Sequence, residues 1–222
     1  MSGVWAVLAA AGSGERLGAD RPKAFARLGE RVLLAESLER LDASDWIDAI
    51  VVAAPAGWEE PVILLAEELG CAKVSACVAG GATRAESVRA ALEEVAEDAA
   101  AIVVHDAARP LVTETVIGRV LAPLSQGWDA AVPALPLPDT VKRVDGVAVV
   151  ETLDRTQLVA VQTPQAFVAP VLRAAFGGDV SDASDCAFLV ERRGGRVCVV
   201  EGDPRLVKVT SREDLELVAS WL

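Results

Sequence analysis

Apolar positions along this chain fall into two alternating patterns: short unbroken runs, and longer stretches in which they recur every three or four residues. Residues 4–9 (VWAVLA) form the first unbroken run and read as a buried strand. Leu34, Leu38 and Leu41 then share one helical face, and 49–53 (AIVVA) reads as a second buried strand. A helix over 58–69 stopped by Gly70 and a strand over 72–78 follow. Thr83 and Glu86 have capping-box spacing ahead of an apolar stripe of Val88, Leu92 and Val95, so a helix starts near Arg84. A fourth strand over 101–104, a helix over 113–124 and a fifth strand over 129–132 complete the rhythm. Strands alternating with helices predict an α/β fold, a three-layer α/β/α sandwich around a mostly parallel sheet. A chain of 222 residues suits one such domain over 1–222.

The rhythm breaks after residue 132. Pro133, Pro136 and Pro138 precede two short alternating runs around Asp145-Gly146, the signature of a hairpin. Residues 134–162 are therefore expected to project as an extended β-arm, whose edges would pair with a second subunit. Helices over 170–176, 186–193 and 212–221 and a strand over 196–201 account for the remainder.

Composition narrows the function classes. A net charge of −12 disfavours a general nucleic-acid or anionic-membrane binder, so any anion site must be local. Nothing approaches the ~20 apolar residues of a membrane span. The four cysteines contain no C-x-x-C pair and the one histidine, His105, has no clustered partner, which argues against zinc. LAAAG near the N-terminus lacks the basic flank of a signal sequence, and reduced thiols in a cytoplasm are expected.

The candidate chemistry begins where the first strand ends. Ala10, Ala11, Gly12, Ser13 and Gly14 let backbone N–H groups converge on an anion, and Arg16 and Lys23 add two permanent charges. The glycines run G-x-G-x-x-x-G, which is not the dinucleotide fingerprint, and no Gly-Lys-Ser/Thr closes a Walker loop. A polyphosphate suits such a turn. Asp106 follows the fourth strand, where open α/β sheets place ligands, and a single carboxylate there can serve Mg²⁺, which takes oxygen ligands. Gly81, Arg84 and Ser87 sit at a helix start beside a Gly-Gly pair, a place to read a polar base edge. Lys208 interrupts an apolar stretch, where a charge is costly unless it snorkels or meets an anion.

Taken together, AAAGSGERL with RPKAF, GGATRAESV, VVHDAARP, LPDTVKRV, VQTPQAF and EGDPRLVKVT resemble the 2-C-methyl-D-erythritol 4-phosphate cytidylyltransferases, in order and spacing, over nearly the whole chain. The resemblance implies a Rossmann-like nucleotidyltransferase fold, with CTP and methylerythritol phosphate as substrates and a divalent cation, usually Mg²⁺, near Asp106. It implies that the backbone of residues 10–14, with Gly81 and Ser87, holds CTP, and that Arg16 and Lys23 stabilise charge at the α-phosphate and departing pyrophosphate. Arg155 and Lys208 would position the acceptor phosphate, helped by Arg109, Thr140, Thr163 and Ser184. In this family the arm exchanges between two subunits, so a homodimer is implied, with Thr140 and Arg155 entering the partner's site. Ala9, Ala24, Ser184 and Leu206 depart from residues common in the family, and Leu206 bears on how Lys208 is braced. Two other readings remain: transfer to another polyol phosphate such as ribitol 5-phosphate, and a nucleotide-binding module without turnover.

Overall fold

A computed structural model describes residues 3–12, 14 and 21–222. Arg16 and Ser13, both expected in the phosphate loop, lie outside the described residues.

The sheet is built outward from β1 (Val4–Ala9). A hairpin of β2 (Arg27–Leu28) and β3 (Arg31–Val32) leads into α1 (Leu33–Asp42), then β4 (Ala49–Ala54), α2 (Glu59–Leu69), β5 (Val74–Ala79) and α3 (Arg84–Leu92). Next come β6 (Ala101–Asp106), α4 (Glu114–Leu121) and β7 (Ala130–Pro136). The two arm strands are β8 (Lys142–Asp145) and β9 (Ala148–Thr152), followed by β10 (Val159–Val161) and β11 (Gln165–Val168). The chain ends with α5 (Ala169–Phe176), α6 (Cys186–Arg192), β12 (Val197–Glu201) and α7 (Arg212–Ala219). Local chemistry sets several boundaries. Thr83 and Glu86 form the capping box that starts α3, and Gly70, at φ 69°, ends α2 in the left-handed region that favours glycine.

β1 pairs in parallel with β4 on one side and β6 on the other, and β4 carries β5. The chain thus grows one way from β1 to β5 and then returns to the opposite flank. That reversal creates a switch-point crevice at the carboxyl ends of β1 and β6, where Ala9 stands beside Asp106.

Successive residues of β1 face opposite layers. Ala6 and Leu8 pack with Leu34 and Leu38 of α1, Val62 of α2 and Val116 of α4, whereas Val7 packs with Val88 of α3, Leu172 of α5 and Leu189 of α6. Covering both faces explains why the strands read as unbroken apolar runs. A smaller cluster of Leu28, Leu33, Leu111, Val209 and Val218 seals one end with α7.

The α/β/α sandwich and mostly parallel sheet agree with the sequence reading. The stretch from 134 to 168 is more divided than it predicts. Only β8 and β9 form a separate two-stranded sheet, turning at Gly146 with φ 56°. β10 pairs antiparallel with β7, and β11 is inserted antiparallel between β6 and β7. β11 is only four residues long and its first residue is a glutamine, so its pattern carries little strand signal. Among the described residues no helix is long and apolar enough to cross a membrane.

Candidate active site

A cleft of about 350 Å³ opens at the switch point, lined by residues 9–12 at the end of β1, by 81–84 and Ser87 at the start of α3, by 106–108 at the end of β6, and by Lys23, Ala24, Leu33 and Lys208. Two of its walls touch. A Cβ on Gly80 would fall 2.3 Å from the Ala11 Cβ and 2.8 Å from the Ser87 Oγ, so the approach of the two loops requires glycine there. Gly14, at φ +75°, lies against Lys23: an added Cβ would meet the Lys23 Cβ at 2.7 Å. Gly14 and Lys23, the first residue of a short 3-10 helix, are therefore packed directly against each other.

The Ser87 hydroxyl is tied on two sides. Its hydroxyl donates to the Thr83 carbonyl at 2.8 Å and accepts from the Gly81 N–H at 3.1 Å. This holds Gly81 against the first turn of α3.

Asp106 is the hub of the opposite wall. Its Oδ1 accepts from Arg84 Nε and its Oδ2 from Lys208 Nζ, each at 2.7 Å. Burial alone would raise its pKa, but the Arg84 and Lys208 cations overcome it and hold the carboxyl well below the usual carboxylate range. Asp106 is thus an anion throughout the neutral range. Burial likewise opposes the Arg84 charge, and the Cys186 sulfur and Asp106 carboxylate more than offset it. Arg84 Nη1 reaches Cys186 Sγ at 3.4 Å, while its buried Nη2 has no partner among the described residues. An orphaned guanidinium donor on a cleft wall suits an anionic ligand.

A second hydrogen-bond chain fixes Asp106 from behind. Its N–H donates to Thr163 Oγ1 at 3.1 Å, and Thr163 Oγ1 lies 3.1 Å from His105 Nδ1. His105 Nε2 lies 3.0 Å from the Arg109 carbonyl, which can only accept, so Nε2 carries the proton and Nδ1 takes one from Thr163. Burial pushes the imidazole down to about 4, against the pull of Asp106, so it stays neutral at pH 7. His105 supports the site from within the core.

Of the expected site residues, Ala10, Ala11, Gly12, Lys23, Gly81, Arg84, Ser87, Asp106 and Lys208 line this one cleft, and Gly14 and Thr163 contact residues that do. The Arg109 guanidinium instead donates to the Leu206 carbonyl at 2.5 Å. Thr140, Arg155 and Ser184 are not among the residues lining the cleft of their own chain, and Thr140 and Arg155 are exposed. The Arg84–Asp106 pair has no signature in the linear pattern, because it joins the ends of elements that only the sheet topology brings together.

The donor set can be tested against a divalent cation. Asp106 is the one carboxylate among the described lining residues, and the described residues contain no group of three or more His, Cys, Asp or Glu side chains suited to a metal. Each Asp106 oxygen accepts one cation and retains acceptor capacity. That fits a hard ion drawing most of its ligands from phosphate and water, and it does not fit an all-protein cage.

The chain matches the profile of a family described as IspD, 2-C-methyl-D-erythritol 4-phosphate cytidylyltransferase, over residues 4–222. A relative of that name from Nocardia farcinica is 46% identical over 220 residues, covering 99% of this chain and 94% of its own. Another from Rubrobacter xylanophilus is 41% identical over 226 residues, covering 100% and 96%. Among solved structures, the 2-C-methyl-D-erythritol 4-phosphate cytidylyltransferase of Thermus thermophilus superposes with TM-score 0.77 at 35% identity, covering 97% of this chain and 96% of that one. The 4-diphosphocytidyl-2C-methyl-D-erythritol synthase of Anaerococcus prevotii gives 0.85 at 25% identity, covering 99% and 98%. With the profile spanning the glycine-rich loop, the Asp106 hub and the Lys208 segment alike, this chain belongs to the 2-C-methyl-D-erythritol 4-phosphate cytidylyltransferase family.

Proposed function

We propose that this protein transfers the cytidylyl group of CTP to 2-C-methyl-D-erythritol 4-phosphate, giving 4-diphosphocytidyl-2-C-methyl-D-erythritol and pyrophosphate. The observation that carries the proposal is convergence: cations from opposite ends of the chain, Lys23 and Lys208, line one cleft with the Gly81–Ser87 wall. A phosphate oxygen of the acceptor attacks the α-phosphorus, the bond from that phosphorus to the bridging oxygen breaks, and pyrophosphate departs. The attacking oxygen is already ionised near neutral pH, so the reaction needs no protein base and a buried neutral His105 is no obstacle. What the protein must supply is alignment and positive charge.

Arg16 and Lys23 then serve the triphosphate, with the backbone of residues 10–14 including Ser13, while Gly81, Arg84 and Ser87 hold the nucleotide. Lys208 receives the acceptor phosphate, with Arg109, Thr163 and Ser184 shaping that end. Arg155 and Thr140 would come from the arm of a second copy in a homodimer. Their exposure and their absence from their own cleft lining support this, as do the apolar side chains the arm leaves in solvent. A Mg²⁺ ion held by Asp106 and substrate phosphates would neutralise charge on the triphosphate. Phosphorylated small molecules as substrates, four free thiols and a chain of net charge −12 support work in the cytoplasm, away from nucleic acid and membranes.

The test is a panel of nucleotides and polyol phosphates assayed for released pyrophosphate. CTP with methylerythritol phosphate should give rapid release, and ribitol 5-phosphate little. The reverse preference would install the other acceptor, and tight CTP binding with no release from any pair would leave a binding module.

A further inference from the structure

Lys208 is carried by a segment without regular structure and its side chain is 42% exposed, so its own packing does not fix it. Its neighbours do. Val209 is fully buried and donates its N–H to the Ala108 carbonyl at 2.8 Å. Leu206 is fully buried too, with its carbonyl held by Arg109. Upstream, the Leu206 N–H closes a turn onto the Asp203 carbonyl at 2.9 Å.

The first peptide of that turn is gripped by a side chain from another part of the fold. Gln162, only 6% exposed, donates from Nε2 to the Asp203 carbonyl at 2.9 Å and accepts at Oε1 from the Asp203 N–H at 3.0 Å. A side-chain amide is neutral and both donates and accepts, so it can pair with a backbone residue much as a strand would. The fit is close: a Cβ on Gly202 would fall 2.4 Å from Gln162 Oε1 and 3.0 Å from the Ala134 carbonyl. The next residue, Thr163, accepts the Asp106 N–H. Two adjacent residues thus bear on both members of the Asp106–Lys208 pair.

We propose that Gln162 is a positioning residue for the acceptor phosphate, acting through the Asp203–Leu206 turn to hold Lys208 in register with Asp106. The proposal rests on the assignment of Lys208 to that phosphate. A merely structural glutamine would affect both substrates alike, or only the melting temperature.

The experiment compares wild type, Gln162→Leu, Lys208→Gln and the double variant by single-turnover kinetics at high enzyme concentration, with thermal melts alongside. If the leucine variant does not fold, Gln162→Asn, which keeps the polar groups one methylene short, takes its place. Gln162→Leu should lower the rate at subsaturating methylerythritol phosphate by roughly 10- to 100-fold while CTP affinity stays within about twofold. In the Lys208→Gln background the same substitution should cost less than about threefold, because the two residues act as one unit. An equal loss in both backgrounds, parallel damage to CTP binding, or unchanged kinetics would overturn the proposal. Absence of pyrophosphate release from wild type would be a different result, removing the functional assignment and this inference with it.

Discussion

The Asp106 end of the cleft and the β8–β9 arm lie in one chain but are ordered by opposite means. Around Asp106 the polar groups are tied to one another: two cations on one buried carboxylate, a threonine on its N–H and a neutral histidine behind. The arm buries nothing. Every residue of its two strands is exposed, including Val144, Val149 and Val150 at 57–59%, and its side-chain ties are the exposed pairs Arg143–Glu151 and Lys142–Thr152. An isolated two-stranded hairpin is marginal in water, and exposed ion pairs contribute about 0–1 kcal/mol. The Asp106 wall is held together by its own chain, whereas the arm is a shape that needs covering.

That contrast can be broken from the cleft side first. Lys23→Ala should cut turnover by on the order of 10² to 10³, by analogy with losing a preorganised donor, while CTP binding weakens far less. Steady-state kinetics beside calorimetric CTP titration separate the two, and equal losses would place Lys23 in ground-state binding. From the arm side, Arg155→Ala should lower kcat/KM for methylerythritol phosphate by roughly 10- to 100-fold with the melting temperature unchanged, since the residue is exposed in its own chain. A large drop in melting temperature would mean that the arm is knitted into the single-chain fold.

The core behind the cleft has its own pH signature. The His105 pKa is depressed from its ordinary 6.5 to about 4, so between those values the unfolded chain binds the extra proton. The associated stability is complete above about pH 6.5 and is lost as pH falls toward 4, by on the order of 3 kcal/mol. Asp106 titrates below the usual carboxylate range and keeps its contribution across that window. Urea midpoints at pH 7, 5.5 and 4 should fall accordingly, and the fall above pH 5.5 should vanish in His105→Asn. The smallest effect belongs to the arm tip: Val147→Ser, at a fully exposed position, should leave melting within about 0.5 kcal/mol of wild type.

Much of this was legible in the linear pattern, for identifiable reasons. β1, β4 and β6 are buried on both faces and so are continuous apolar runs, and the α3 capping box is local chemistry that Thr83 and Glu86 spell out. Lys208 betrayed itself as a charge among Leu206, Val207 and Val209. What could not be read were meetings across the fold. The insertion of β11 between β6 and β7, the Arg84–Asp106 pair and the Gln162 grip on Asp203 all join residues distant in sequence. The role of Arg109 is similar: the resemblance assigns it to the acceptor phosphate, while the structure turns its guanidinium onto the Leu206 carbonyl.

The most direct test of the central claim, that one copy's cleft is completed by another's arm, is complementation by mixing. Lys23→Ala and Arg155→Ala chains, each strongly impaired alone, are unfolded together, refolded at equal concentration and assayed for pyrophosphate release from CTP and methylerythritol phosphate. Random pairing in a two-fold dimer makes about half of the dimers mixed, with one intact site each, so activity should return to roughly a quarter of wild type. Verified mixed dimers with no recovered activity would show that each site is built within a single chain.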